Sequence, residues 1–453
     1  MKSDSPHNAG TLSRLLHSVG GASAIKRLAG PGIASFAIKT AGAVLGYAMM
    51  VVMARLMDAE NYGQFGVMLN ASVVCNTIVA VGLPTIIMRL WPEYLVKKLP
   101  SGARAAAVHG FVIILVASLL MLAIGASMDW FGIGASQLGI VGGAVAIALL
   151  AAAGGFSDYL SSLLRAQGFT IWSLAPRDIV WRIAAPALCG LLLYYNGHLG
   201  SVEAIRITAA AMFLIMIPQF WLAFRLVQKL TTGARSQAAW GEWRKILMPI
   251  WAASILYAMI QQLDVVVVGS LVGSAEAGAY FAAQKTASLL SLTMIAGGLI
   301  GAPLMAAAYH SNKLDELRRL LRLLALAIGV TTLLGVLVLA VIGGHLLALF
   351  DNEYRSAYTI LMILSVGFAI DAMAGPSAYL MQMTGLEKPC LVIMAVAYSI
   401  VLALQFMFVP TYGMIAAALA NTCGSLVWSL SAVVVLRRYR RVDPSVLAFI
   451  QKA

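Results

Sequence analysis

Runs of about 20 apolar residues follow one another along nearly the whole chain, divided by short polar connections that carry most of its lysine and arginine. An α-helix rises about 1.5 Å per residue, so such a run crosses a hydrocarbon layer about 30 Å thick. Inside that layer every backbone N–H and C=O must be satisfied by the chain itself, which leaves helices or a closed barrel. A barrel is written as alternating segments of about ten residues, whereas stretches such as 111–124 and 328–342 are apolar almost throughout. The fold expected is therefore all-α and polytopic. Its 61% hydrophobic and 11% charged residues agree, the latter being about half the density of a soluble domain.

Twelve spans can be placed, at 33–56, 63–88, 106–127, 138–162, 178–195, 204–224, 246–270, 277–305, 321–344, 357–381, 390–409 and 412–436. An even number puts both termini on one side. Of the 31 Lys and Arg, 26 then fall on the side of the termini and three (Arg55, Arg206, Arg355) on the other, with Lys39 and Lys285 inside spans. The positive-inside rule makes the basic side cytoplasmic. The net charge of +13 is thus a topology signal rather than a nucleic-acid footprint. The expected location is a bacterial inner membrane, with both termini in the cytoplasm and no removable signal peptide ahead of the first span. Cys75, Cys189, Cys390 and Cys423 lie in or at the ends of apolar runs without metal-ligand spacing and are read as free thiols.

The domain reading is a cytoplasmic segment 1–32, whose amphiphilic stretch 11–28 suits an interfacial helix; an N-lobe 33–226; a basic linker 227–245; a C-lobe 246–436; and a basic tail 437–453. The lobes resemble each other. Arg55-Leu-Met-Asp-Ala-Glu60-Asn-Tyr-Gly63-Gln-Phe65 and Gly269-Ser-Leu-Val-Gly-Ser-Ala-Glu276-Ala-Gly278-Ala-Tyr280 each read as helix end, acidic turn, Gly, one residue, aromatic, helix. Gly63 and Gly278 are 215 residues apart; Gly168 and Gly385, after spans 4 and 10, are 217 apart. A duplicated six-helix unit follows, the plan of many transporters, with the substrate site between the repeats.

Gln262-Leu-Asp264-Val-Val-Val-Val-Gly269, followed by Glu276, Gly278 and Tyr280, resembles the seventh-to-eighth helix signature of the polysaccharide and O-antigen flippases (Wzx-like) of the multidrug/oligosaccharidyl-lipid/polysaccharide exporter superfamily. The Glu60, Tyr62, Gly63 turn, Gly82-Leu-Pro84 before Arg89, and Gln167-Gly168 match the same pattern, so the resemblance covers nearly the whole chain. It implies two six-helix lobes around a cavity that opens alternately to each side. The implied cargo is a polyprenyl-pyrophosphate-linked oligosaccharide, turned from the cytoplasmic to the outer leaflet for O-antigen, exopolysaccharide or capsule synthesis. Polysaccharide polymerase and export machinery are the implied partners beside the lipid-linked sugar and the bilayer; no cofactor, metal or nucleic acid is implied. A cation-coupled multidrug or lipid exporter of the same superfamily is the alternative.

Ionisable groups in lipid cost roughly 2.5–3.5 kcal/mol each on insertion scales and mark function by default. Lys39, Asp264, Lys285 and Asp371 lie well inside spans. By helical rise Asp264 and Lys285 sit about 9 and about 12 Å from the same membrane face, which makes them a candidate ion pair. Lys39 and Asp371, in opposite halves, would form a gate if bonded. Lys39, Arg55 and Lys285 are candidates to face a pyrophosphate, because a fixed cation in a partly dehydrated cavity binds a multivalent anion far better than in water. Asn70, Gln261 and Gln284 are candidates for sugar hydroxyls, and Asp264 and Asp371 for proton or sodium coupling. A polytopic glycosyltransferase or polymerase would need a long aqueous loop with acidic, Arg or His residues. The chain offers none, and it has no P-loop, so an enzyme is not expected.

Overall fold

A computed structural model describes residues 22–132, 142–230, 240–311, 313–446 and 448, and among these it contains helices and turns with no strand. The crossings are α1 (Ala22–Leu56), α2 (Ala59–Val96), α3 (Pro100–Trp130), α4 (Gly143–Ala166), α5 (Thr170–Asn196), α6 (Ser201–Leu230), α7 (Trp240–Leu271), α8 (Ser274–Ala287 and Ser291–His310), α9 (Leu314–Phe350) and α10 (Asn352–Met373). One continuous helical stretch, Glu387–Arg440, closes the chain. At 54 residues it would span about 80 Å, more than twice a hydrocarbon layer. Gly413, at φ 60° and ψ −145°, breaks it into α11 (387–412) and α12 (414–440). Among the described residues twelve long helical segments result, six to each lobe.

Where the helices break, the sequence supplies the cause. Asp58 starts α2, its carboxylate accepting from the Asn61 backbone N–H at 2.7 Å and side-chain amide at 2.9 Å. Within α2, Val81 and Gly82 turn left-handed (φ 49° and 67°) and Pro84 restarts the helix as Leu83–Val96. In α5 a π-turn, Pro176–Val180, interrupts the α-helical pattern. The first helix begins at Ala22, eleven residues before the expected span; the stretch 11–21 lies outside the described residues. The expected linker is shortened from both ends by α6 and α7, and residues 231–239 lie outside the described set.

Between the lobes, α2 packs on α7 and α8, and α1 packs on α8 and α9. At the centre of that contact the internal repeat becomes visible as symmetry. A Cβ on Gly63 would collide with the carbonyl oxygen of Ser274, and one on Gly278 would lie 3.2 Å from the carbonyl oxygen of Ala59. Ala59 and Ser274 are themselves 215 residues apart, so the two helix starts meet about a local two-fold axis, each glycine against the other's first turn. Tyr62, Phe65, Phe281 and Phe350 are fully buried around this point, with ring centroids of Tyr62 5.8 Å from Phe281, 6.3 Å from Phe350 and 5.9 Å from Tyr354. Arg55 donates to the last carbonyls of α9, Leu349 at 2.7 Å and Ala348 at 2.6 Å. The lobes are therefore closed together on the face of the α1–α2, α7–α8 and α9–α10 connections.

Candidate functional site

In the N-lobe a cavity of about 260 Å³ opens between α1, the end of α4 and the start of α5. Its wall is almost wholly polar. Lys39 comes from α1, Asp158 and Arg165 from α4, and Arg177, Asp178 and Arg182 from the π-turn region of α5. Four cations thus face two carboxylates. Lys39 Nζ lies 2.8 Å from Asp178 Oδ2, and Arg182 Nη2 lies 3.7 Å from Asp178 Oδ1. Arg177 pairs with Asp158, which also accepts from the Asn76 amide at 2.9 Å. Ser161 and Ser173 hydrogen-bond each other at 3.0 Å in the same wall.

The local sequence explains how α5 comes this close to α1. Gly42 and Gly46 stand one turn apart on α1. A Cβ on Gly42 would lie 3.0 Å from Asp178 Cβ, and one on Gly46 would lie 2.5 Å from Arg182 Nη1. The two bare positions form a groove for Asp178 and Arg182, which are also four apart. Small residues permit such approach between membrane helices, and π-turns commonly mark functional sites.

Lys285, on α8 of the other lobe, brings a fifth cation into electrostatic range of Arg182. Its ammonium sits 5.0 Å from the centroid of the Phe281 ring. The expected ion pair with Asp264 does not form. Asp264 is fully buried within the C-lobe and accepts from Gln405 on α11 at 2.9 Å and from Asn421 on α12, with the Tyr280 hydroxyl beside it. Helical phase turns Asp264 toward α11 and α12 and Lys285 over the Phe281 ring. The gate between Lys39 and Asp371 does not form either. Lys39 is held by Asp178, while Asp371 accepts from Ser425 at 3.2 Å and Ser429 at 2.8 Å, both on α12.

The remaining sequence candidates separate. Arg55 is a cross-lobe clamp on the closed face, not a cavity cation. Asn70 is 1% exposed in the interlobe core, donates to the Gly66 carbonyl at 2.7 Å and leaves its side-chain oxygen unpartnered. Gln261 is exposed, and Gln284 is partly buried with an unpartnered side-chain oxygen. Sequence reasoning assigned Arg165, Arg177 and Arg182 to a cytoplasmic connection and left Asp178 unused. The available signal was the Arg177-Asp178 pair followed by Arg182 one turn on, opposite Gly42 and Gly46.

Two apposed six-helix lobes, with a charged cavity in one and a buried aspartate, Asp264, in the other, suit a membrane transporter. The family model described as polysaccharide biosynthesis protein matches residues 31–309, more than half of the chain, and a MatE model matches 249–407. The chain belongs to the polysaccharide biosynthesis protein family. No curated protein matches it significantly. Among solved structures it is similar to a multidrug resistance MATE family transporter of the MOP superfamily in an inward-facing conformation, at 14% identity and a TM-score of 0.71, over 90% of this chain and 97% of that one. It is also similar to a variant of the Vibrio cholerae MATE transporter VcmN, at 15% identity and a TM-score of 0.62, over 93% and 99%. A third, from Pyrococcus furiosus, is described as a MOP superfamily transporter whose binding pocket of reversed polarity suggests a different function; it is 16% identical with a TM-score of 0.61, over 92% and 95%.

Proposed function

We propose that the protein is a flippase that carries a polyprenyl-pyrophosphate-linked oligosaccharide from the cytoplasmic to the outer leaflet of a bacterial inner membrane, by alternating access. The observation that carries this reading is the cationic cavity: Lys39, Arg165, Arg177 and Arg182 outnumber Asp158 and Asp178 by two charges. A diphosphate is the part of a lipid-linked sugar that such a cluster would recognise, because Arg pairs bidentately with phosphate oxygens and both ligand and site are partly desolvated. A cationic drug would be repelled by the same wall. With the basic connections in the cytoplasm, the closed face around Gly63, Gly278 and Arg55 would be the outer one, which alternating access requires before loading from inside.

Among the described residues Asp264 and Asp371 are met by neutral donors only. A proton or a small cation can neutralise each in place, and we assign them to coupling. Asp264→Asn should keep protein in the membrane while removing the dependence of transport on an ion gradient, read in proteoliposomes with and without that gradient.

Deletion of the gene followed by mass spectrometry of lipid-linked intermediates tests the substrate. Build-up of a lipid-linked oligosaccharide confined to the cytoplasmic leaflet is expected. Normal lipid-linked pools with raised drug sensitivity would identify a multidrug exporter instead.

A further inference from the structure

Lys39 and Asp178 form an unequal pair. The lysine side chain is 49% exposed to the cavity, whereas the carboxylate it holds is 8% exposed and enclosed by α1 on one side and the π-turn on the other. A ligand in the cavity therefore meets far more of the cation than of the carboxylate, although both line the wall. Asp178 also stands within 3.7 Å of Arg182, so it bridges one cation from α1 and one from α5. A phosphate oxygen would bridge the same two groups.

We propose that Asp178 is an internal stand-in for the substrate's anion: it occupies Lys39 and Arg182 while the cavity is empty, and an incoming diphosphate takes Lys39 from it. This rests on the flippase reading and adds a specificity-determining residue to it. Two physical consequences follow. A lone lysine pointing into a partly dehydrated cavity would collect any small anion, and Asp178 blocks that by supplying a tethered one. Displacing a tethered carboxylate also subtracts from the free energy of binding, so the diphosphate is held weakly enough to leave on the far side; multivalent anions bound only by cations in low dielectric would be trapped. The glycine groove places Asp178 where it competes, since a side chain at Gly42 would meet its Cβ at 3.0 Å.

The test is a double-mutant cycle on purified full-length protein in nanodiscs, with undecaprenyl pyrophosphate as probe and inorganic pyrophosphate as competitor. Asp178→Asn is expected to bind the probe about tenfold more tightly than wild type and to transport it more slowly in proteoliposomes. In the Lys39→Ala background the same substitution should change affinity by less than about twofold, because the competitor has lost its contested partner. Equal tightening in both backgrounds would mean a general charge effect and would overturn the proposal while leaving the flippase reading intact. Should Asp178→Asn fail to assemble, Asp178→Glu decides: the retained anion should keep affinity within about twofold of wild type, and tenfold tightening there would overturn it. A wild-type protein that binds neither undecaprenyl pyrophosphate nor inorganic pyrophosphate would sink the anionic-substrate reading and this proposal together.

Discussion

Lys285 has an aromatic face beneath it and Arg182 within range, and no carboxylate pairs with it among the described residues. An uncompensated charge in that setting costs stability and persists for function. Lys285→Ala should therefore leave Tm unchanged or raised while reducing export at least about tenfold, the value of one charge-assisted bond to a phosphate. Thermal denaturation and surface-polysaccharide yield check the two signs together. Asp58 is the contrasting case of a structural charge. The Asn61 backbone N–H, with its side-chain amide, holds the carboxyl below its ordinary range. A depressed folded-state pKa contributes stability that is present above the unfolded value and is lost as pH falls through the folded one. Asp58→Ala should cost about 1 kcal/mol at neutral pH, and the difference from wild type should shrink in acid below the ordinary aspartate range. Denaturation at the two pH values reads this directly.

At the scale of elements, glycines decide which helices touch, and their substitutions should differ in kind. A methyl at Gly63 would meet the backbone carbonyl of Ser274, which cannot move without separating α2 from α8. Overpacking of that sort costs about 1–3 kcal/mol, so Gly63→Ala should lower Tm and weaken closure of the lobes. At Gly46 the obstacle is the far end of the Arg182 side chain, 2.5 Å away, which can swing aside. Gly46→Ala should keep Tm and lose affinity for the anionic probe, because Arg182 no longer sits beside Asp178. Comparing Tm with probe binding across the two variants separates a packing glycine from a site-forming one. Helix existence and approximate limits were legible from apolar run length. The π-turn of α5 was not, because it depends on how neighbouring helices compensate the interrupted backbone bonds, whereas the break near Gly413 was written in the gap between the runs 390–409 and 412–436.

For the whole molecule, Arg55 on the last carbonyls of α9 ties α1 of one lobe to the other lobe on the closed face. The contact is exposed, so its worth is about 1 kcal/mol, or roughly a fivefold shift between closed and open populations. Arg55→Ala should lengthen distances between spin labels placed across that face, in about that proportion, measured by electron paramagnetic resonance. The sequence by itself determined the membrane class, the all-α plan in two lobes of six helices and the duplicated unit. These follow from run length, the sidedness of lysine and arginine, and a 215-residue offset, all of which are written along one dimension. Tertiary structure decided which charges meet. Depth along a helix is additive and readable, but the direction a side chain points depends on helical phase, on kinks and on which neighbour packs beside it. For that reason Asp264 turned to Gln405 and Asn421 instead of Lys285, Lys39 to Asp178 instead of Asp371, and three arginines assigned to a connection became the wall of the cavity.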